Sequence, residues 1–282
     1  KIMNKINSFS FQGISGAYSE QAGKKLFPEA TSSPCLTFEE MFEQVRIEKV
    51  DAAMVPIENS LAGRVADTQR LIPNSKLKIT QEFFLEVNHN LLGVKGSKIS
   101  DIKRIHSHEQ GIAQCRKNII KLNKAMIVGA DTAGSAKMIS ELNNIEDAAI
   151  ASDLAAKIYN LDVIESNFQD SKNNVTRFLV MKKNLETFDL SATNIITTLV
   201  FTVRSIPAAL YKCLGGFASN GINITKLESY VHPQGFDVAQ FYADLEGHPD
   251  NPSVKLALEE MKFFCKHLEI LGVYEKSKFR KK

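Results

Sequence analysis

The stretch AMIVGADTAGSAKMISEL, residues 125–142, passes from a short apolar run through a polar turn into the pattern of an amphipathic helix. Strands that alternate with helices in this way are typical of a mostly parallel sheet covered by helices. We therefore expect an α/β domain up to about residue 181. The same succession follows four other apolar runs, which are SFSFQ (8–12), AAMV (52–55), IKRIH (102–106) and AAIA (148–151).

The C-terminal part of the chain shows a different order of elements. From residue 195 the pattern reads strand, helix, two strands, helix and strand, which is the ferredoxin-like βαββαβ motif. Pro207 suits the first position of the first helix, and the turn HPQG (232–235) joins the two middle strands. With residues 182–192 as the linker, we expect one domain over 7–184 and a second over 195–275.

Composition and charge are those of an ordinary globular protein. The chain has 282 residues, 44% hydrophobic and 24% charged, with a formal net charge of +3. Basic residues cluster only near the C-terminus, between Lys276 and Lys282, with no aromatic platform for nucleic acid. We therefore expect that tail to be solvated and frayed, and we expect no nucleic-acid partner.

The distribution of cysteines and of apolar residues indicates a cytoplasmic protein. The four cysteines, at positions 35, 115, 213 and 265, form no CxxC pair, so we expect reduced thiols and no zinc site. The first residues show no apolar leader pattern. No apolar run approaches the ~18 residues that span a membrane, so we expect no membrane association.

The stretch SKNNVTRFLVM, residues 171–181, leads polar side chains into a buried strand. An amide, a hydroxyl and a guanidinium at the start of a strand suit a polar, negatively charged ligand. In α/β sheets such ligands bind beyond the carboxyl ends of the strands, where helix N-termini also favour anions. Ser107, Thr132 and Ser152 stand where N-caps of such helices are expected.

Motifs for cofactors and nucleophilic catalysis are absent from the sequence. GISGAY has Ser15 where a GxGxxG fingerprint needs glycine, and no GxxxxGK[ST] or GxSxG sequence occurs. His106 and His108 lie near the end of one strand, but a pair without a third ligand is more often structural. The sequence thus predicts a site for a small anion, with no cofactor and no metal.

Four ordered motifs resemble those of the prephenate dehydratase family. They are VPIENSLAG (55–63), SHEQGIAQC (107–115), AAIASDLAAKIY (148–159) and NVTRFLV (174–180). GINITKLES (221–229) and FYADLEGH (241–248) resemble the ACT regulatory domain of that family. The resemblance covers nearly the whole chain and implies a two-lobed catalytic domain like a type II periplasmic binding protein, followed by an ACT domain.

The resemblance also implies a reaction and a set of site residues. The substrate would be prephenate, which loses carbon dioxide and water as its ring becomes aromatic, without a redox cofactor or metal. The enzyme would orient the carboxylates and assist departure of the ring hydroxyl. The catalytic candidates, by match to the family motifs, are Thr176, Arg177, Asn59, Ser60, Ser107 and Gln114.

Thr176 would assist departure of the hydroxyl, and Arg177 would bind a carboxylate. Neighbours in a regular strand point to opposite faces, so both side chains reach one ligand only if the strand starts irregularly. Asn173 and Asn174 make an irregular start plausible. A structural ion pair of Arg177 is the alternative.

The ACT domain of the family binds phenylalanine between subunits, which implies a homodimer or homotetramer with phenylalanine as effector. Two of its motifs are altered here, since PAAL (207–210) replaces the usual PGAL and ESYV (228–231) the usual ESRP. We expect phenylalanine still to bind, through candidates that are Ala208, Ala209, Leu210, Glu228 and Ser229.

Two other functions stay open at the level of sequence. Arogenate differs from prephenate in carrying an amino group in place of the keto group, and the sequence does not discriminate between the two substrates. A non-catalytic amino-acid sensor would share the ACT domain. A solute-binding protein would share the two-lobed fold, but the missing leader pattern and the ACT domain argue against it.

Overall fold

The computed structural model describes residues 5–185, 194–231 and 239–281. The chain forms two compact units. The two-lobed unit contains Ile6–Leu71 and Phe83–Phe178, and the ferredoxin-like unit contains Ile72–Glu82 and the described residues of Leu179–Lys282. No helix in the described parts of the chain is both long and apolar enough to cross a membrane.

The first lobe of the two-lobed unit is built on parallel strands. Strand β1 pairs in parallel with both β2 and β3, and β3 lies next to β11. The elements are β1 (Ser8–Gln12), α1 (Tyr18–Leu26), β2 (Thr31–Cys35), α2 (Phe38–Arg46), β3 (Ala52–Asn59), β4 (Gly63–Arg64) and α3 (Ala66–Leu71). Two further strands, β5 (Lys78–Glu86) and β11 (Val175–Lys182), begin in one unit and end in the other.

The second lobe has its own sheet, in the order β10-β6-β9-β7-β8. Strands β7, β8 and β9 are parallel, whereas β6 and β10 are antiparallel to their neighbours, so this sheet is mixed. The elements are β6 (Asn90–Gly93), β7 (Arg104–Ser107), α4 (Glu109–Gln114), α5 (Arg116–Lys121), β8 (Ala125–Val128), α6 (Thr132–Leu142), β9 (Asp147–Ala151), α7 (Asp153–Ile158) and β10 (Asp162–Glu165).

Helices cover both faces of this second sheet because its strands are apolar on both faces. Leu91 and Ile150 belong to one buried cluster, with Ile112 and Ile119 of α4 and α5. Their strand neighbours Leu92 and Ala149 belong to another, with Ala136 and Ala155 of α6 and α7. Two lobes of this kind confirm the two-lobed α/β fold, similar to type II periplasmic binding proteins, that was predicted.

The ferredoxin-like unit has the predicted βαββαβ order. Its sheet runs β13-β14-β12-β15, antiparallel throughout, and β15 also pairs with β5 through Gly272 and Ile79. Phe201, Phe217 and Met261 lie in the core between the sheet and its helices. The elements are β12 (Ile195–Val203), α8 (Ala209–Ser219), β13 (Ile224–Val231), β14 (Ala239–Glu246), α9 (Pro252–Lys262) and β15 (Cys265–Glu275).

Two local predictions in this unit are wrong. Helix α8 begins at Ala209, two residues after Pro207, and its N-cap Ala208 has the left-handed φ of 59°. The basic tail is not frayed as far as Arg280, because Arg280 is only 15% exposed and binds Glu82 and Asp244. The HPQG turn (232–235) and residues 186–192 of the predicted linker lie outside the described residues.

Candidate active site

A cavity of about 260 Å³ in the two-lobed unit is lined by residues of both lobes. The first lobe contributes Tyr18, Asn59 and Val65, and the second contributes the start of α4 and the start of α6. The lining side chains that carry polar atoms are Tyr18, Ser19, Asn59, His89, His108, Gln110, Gln114, Asp131, Thr132, Asn174 and Thr176. Three predicted catalytic residues, Thr176, Asn59 and Gln114, therefore meet at one cavity.

Backbone N–H groups fix the orientation of the Asn59 amide. Asn59 Oδ1 accepts hydrogen bonds from the N–H groups of Leu61 (3.0 Å) and Ala62 (2.9 Å). Because these groups can only donate, the other end of the amide is the donor Nδ2. This Nδ2 donates to Thr176 Oγ1 at 2.9 Å and to Asn174 Oδ1 at 2.7 Å. The Thr176 hydroxyl is thus an acceptor toward Asn59, and its own proton remains to be donated elsewhere.

The same reasoning orients the amides of Asn174 and Gln114. Since Asn174 Oδ1 accepts from Asn59, Asn174 Nδ2 is a donor, and it lies 2.7 Å from Gln114 Oε1. Gln114 Oε1 also lies 2.6 Å from His89 Nε2. With Oε1 accepting twice, the Nε2 group of Gln114 is the part of this amide that is left to bind a ligand.

Ser60 positions the start of β11 and does not line the cavity. Its Oγ donates to the carbonyl of Asn173 at 2.7 Å and accepts from the N–H of Val175 at 2.9 Å. Its own N–H donates to the carbonyl of Val175 at 2.8 Å. Ser60 is exposed, and these bonds hold the strand segment on which Thr176 lies.

Arg177 does not line the cavity either. Its side chain is 2% exposed, and Nη1 donates to Glu58 Oε1 at 3.0 Å. Thr176 and Arg177 lie within β11, where consecutive side chains point to opposite faces. The start of the strand is therefore regular at these two residues, and the geometry favours the structural ion pair over carboxylate binding for Arg177.

Ser107 is fully buried beneath the start of α4. Its Oγ donates to the carbonyl of Ile150 at 2.9 Å. A Cβ at Gly111 would lie 2.5 Å from that Oγ, so Gly111 allows the helix to approach Ser107 closely. The N-caps here are His108 and Asp131, and the prediction of Ser107 and Thr132 as caps is wrong. The predicted cap Ser152 is confirmed, because its Oγ accepts from the N–H of Ala155.

Among the described residues that line the cavity, one has a carboxylate side chain and none is a lysine or an arginine. Asp131 lines it while capping α6, with Oδ1 accepting from Gly134 N at 2.6 Å. A ligand carboxylate in this cavity would be bound by amide and hydroxyl donors.

His106, considered as a metal ligand in the sequence, binds Asp147 instead, at 2.8 Å from Nε2 to Oδ1. Hydrogen bonds from Arg104 lower the pKa of Asp147 to about 2, and His106 adds to this effect. Over the described ranges of the chain, no group of three or more His, Cys, Asp or Glu side chains is arranged to hold a metal ion.

Sequence reasoning missed Tyr18 and His89. Tyr18 Oη lies 2.7 Å from His89 Nδ1, and the two rings meet edge to face with centroids 5.4 Å apart. Burial lowers the pKa of His89, and burial raises the pKa of Tyr18 well above its usual range. A lone tyrosine and a lone histidine carry little signal in a sequence, and their contact joins residues 71 positions apart.

The predicted effector residues lie in the ferredoxin-like unit. Ala208, Ala209 and Leu210 form the start of α8, where Ala208 has the left-handed backbone. Glu228 and Ser229 lie on β13, and Glu228 Oε1 accepts from Lys226 Nζ at 2.6 Å.

Comparisons with known proteins identify the family to which the chain is similar. The family model for prephenate dehydratase matches residues 9–186. A bifunctional N-acyl-homoserine lactone acylase/prephenate dehydratase of Komagataeibacter europaeus is 43% identical, over 99% of this chain and 100% of its own. A chloroplastic arogenate dehydratase/prephenate dehydratase of Arabidopsis thaliana is 39% identical, over 94% of this chain and 71% of its own.

Solved structures extend the similarity to the ferredoxin-like unit. A prephenate dehydratase of Arthrobacter aurescens, crystallised with L-Phe, is 30% identical and superposes with a TM-score of 0.86. The match covers 95% of this chain and 90% of that one. With the family model across most of the chain and relatives matching nearly all of it, the chain belongs to the prephenate dehydratase family.

Proposed function

We propose that this protein is a lyase that converts prephenate into phenylpyruvate. The observation that carries the proposal is the Thr176 hydroxyl, which lines the cavity and accepts a hydrogen bond from Asn59 Nδ2. Accepting that bond leaves its O–H to donate, and it polarises the O–H as hydrogen-bonded chains do. A donor of this kind suits a leaving hydroxyl group.

In the proposed reaction, the bond between the ring and its carboxylate breaks, and its electrons enter the ring as carbon dioxide leaves. The carbon–oxygen bond to the ring hydroxyl breaks in concert, so the ring becomes aromatic. Thr176 donates a hydrogen bond to the departing oxygen, which takes a proton from solvent to become water. The gain comes from positioned donors that meet charge as it develops.

Binding of the substrate falls to neutral donors. Gln114 Nε2 is the oriented amide donor at the cavity, since Oε1 is held by Asn174 and His89. Arg177 supports β11 from its other face through Glu58.

The proposal is tested by incubating the purified protein with prephenate. Phenylpyruvate should form, and its absorbance measures the rate. Absence of product with prephenate and with arogenate would refute the proposal.

Arogenate is the alternative substrate, and Asp131 favours it. A carboxylate that lines the cavity without a neighbouring lysine or arginine among the described lining residues suits the ammonium group of arogenate. Asp131→Asn removes the charge while preserving the N-cap, since asparagine and aspartate cap equally well. If Asp131 contacts the ammonium, this variant lowers the ratio of kcat/KM for arogenate over prephenate by about tenfold. An unchanged ratio would remove Asp131 from substrate selection.

A second candidate function is hydrolysis of N-acyl-homoserine lactones, and the 43% identity to the Komagataeibacter europaeus protein favours it. The cavity offers no strong nucleophile among its described lining residues. Burial raises the pKa of the lining Tyr18 well above its ordinary range, which disfavours it as a nucleophile. Burial also raises the pKa of Cys115, which does not line the cavity. Release of free homoserine lactone from an N-acyl substrate, measured beside the dehydratase assay, tests this candidate.

The ferredoxin-like unit is proposed to be an ACT regulatory domain that binds phenylalanine and pairs with a second copy. Its βαββαβ order and the similarity to the Phe-bound Arthrobacter aurescens structure support this. We also propose that the catalytic domain spans 7–184 and the ACT domain 195–275 along the sequence. A cytoplasmic location is proposed as well. Because Ile72–Glu82 belong to this unit, the test uses the full chain. Calorimetry that shows no heat at millimolar phenylalanine, with no inhibition, would refute the effector role.

A further inference from the structure

The hydrogen bonds around Gln114 form a directed chain whose polarity begins at the backbone. The N–H groups of Leu61 and Ala62 orient Asn59, Asn59 orients Asn174, and Asn174 Nδ2 donates to Gln114 Oε1. The chain continues on the other side of Gln114, where His89 Nε2 lies 2.6 Å from the same oxygen. Because an amide oxygen can only accept, the Nε2 atom of His89 at this distance carries a proton.

His89 is in turn oriented by Tyr18. The imidazole is 3% exposed, and burial lowers its pKa, which favours the neutral ring. In a neutral ring protonated at Nε2, Nδ1 can only accept, so Tyr18 Oη donates to it at 2.7 Å. The carbonyl oxygen of Asn88, at 3.1 Å from Oη, is the more distant acceptor of the same hydroxyl. The main chain at His89 is also held, because its N–H donates to Gln169 Oε1 at 2.8 Å.

We propose that His89, oriented by Tyr18, is a positioning residue that turns the amide of Gln114 so that its Nε2 donates to a substrate carboxylate. This inference rests on the proposed dehydratase function. Without the donor at His89, the Gln114 side chain loses one of the two bonds that distinguish its oxygen from its nitrogen. If the Gln114 amide then rotates by half a turn, it presents its oxygen to the substrate carboxylate. The two oxygens both carry negative charge and repel each other.

Kinetics of a double-mutant cycle test the proposal. His89→Phe keeps an aromatic ring without the donor and should lower kcat/KM roughly tenfold, the weight of one hydrogen bond. His89→Gln places an amide donor near the position of Nε2 and should recover most of that loss. Tyr18→Phe should cause a smaller loss than His89→Phe.

The decisive comparison uses the Gln114→Ala variant as the background. If His89 acts through Gln114, adding His89→Phe to this background changes kcat/KM by less than about twofold. Losses that multiply in the double variant would overturn the proposal, and so would a His89→Phe protein as active as the wild type. Thermal melting of each variant checks that the comparison is made between folded proteins.

A spectroscopic measurement separates this inference from the proposed activity. In ¹⁵N-imidazole NMR of the wild type, His89 should be the neutral ring protonated at Nε2, and Tyr18→Phe should shift the Nδ1 resonance. A ring protonated at Nδ1 would overturn the inference whatever the enzyme does. If the expected ring form is found but neither prephenate nor arogenate is consumed, the proposed function fails, and with it the role assigned to Gln114.

Discussion

Adjacent side chains of β11 have opposite surroundings. Thr176 faces the cavity and accepts from Asn59, whereas Arg177 is buried on the other face against Glu58. The two side chains are separated because successive residues of a strand point to opposite faces. Thr176 is therefore placed to act on a ligand, whereas its neighbour Arg177 supports the strand. The sequence motif located Thr176, Asn59 and Gln114 but could not assign their faces. Tyr18 and His89 escaped it because their contact depends on tertiary structure.

Thr176→Val should lower kcat by about two to three orders of magnitude, the typical weight of one hydrogen-bond donor positioned where charge develops. The methyl group of valine replaces the hydroxyl at similar volume, so folding should change little. Thr176→Ser keeps the hydroxyl and should retain more activity. Steady-state rates with prephenate measure this, and equal rates for wild type and valine variant would end the assignment.

Arg177→Lys distinguishes support from substrate binding. With Arg177 against Glu58, the variant should lower the free energy of unfolding by about 1–2 kcal/mol, because lysine lacks the planar fork. At temperatures well below melting, its KM should stay close to that of the wild type. A large rise in KM with unchanged stability, measured by denaturant titration, would place Arg177 at the substrate instead.

At the scale of elements, helix α8 starts on a strained residue. Ala208 has a φ of 59°, a region that costs a non-glycine residue roughly 1–2 kcal/mol. The apolar pattern located this helix, but Pro207 suggested too early a start. Pro207 favours the first helical position, but it lies in the turn that precedes α8.

Ala208→Gly should raise the free energy of unfolding by about 1 kcal/mol, because glycine adopts positive φ without strain. Part of the gain is offset by the greater freedom of glycine in the unfolded chain. Ala218→Gly, at an exposed site of the same helix, is the matched control and should be destabilising. If both substitutions destabilise to the same extent, the backbone at Ala208 is not strained.

At the scale of the whole molecule, the ferredoxin-like unit is assembled from distant parts of the chain. Gly272 of β15 pairs with Ile79, and the Arg280 guanidinium contacts Glu82, Asp244 and Thr225. The ferredoxin-like order could be predicted because strand and helix patterns are local in sequence. That Ile72–Glu82 belong to this unit could not be predicted, because the pairing of strands far apart in sequence leaves no periodic signal.

Arg280→Ala should lower the free energy of unfolding by about 3 kcal/mol, since both carboxylates it contacts have fully buried side chains. Lys278→Ala removes an exposed charge from the same segment and should change stability by less than about 0.5 kcal/mol. Chemical denaturation of the two variants makes the comparison. Equal stability of both would mean that the tail is held by its backbone alone.

The contact between Arg280 and Glu82 also sets an order of events during translation. The two residues are 198 positions apart, which at about 5–20 residues per second means roughly 10–40 s between their emergence from the ribosome. All residues of the two-lobed unit have been synthesised once Phe178 has emerged, so we expect this unit to begin folding while synthesis continues. The segment Ile72–Glu82 has to wait for β15. A nascent chain stalled before residue 265 would therefore display the first half of β5 without β15, the neighbour that pairs with it, as a surface for chaperones.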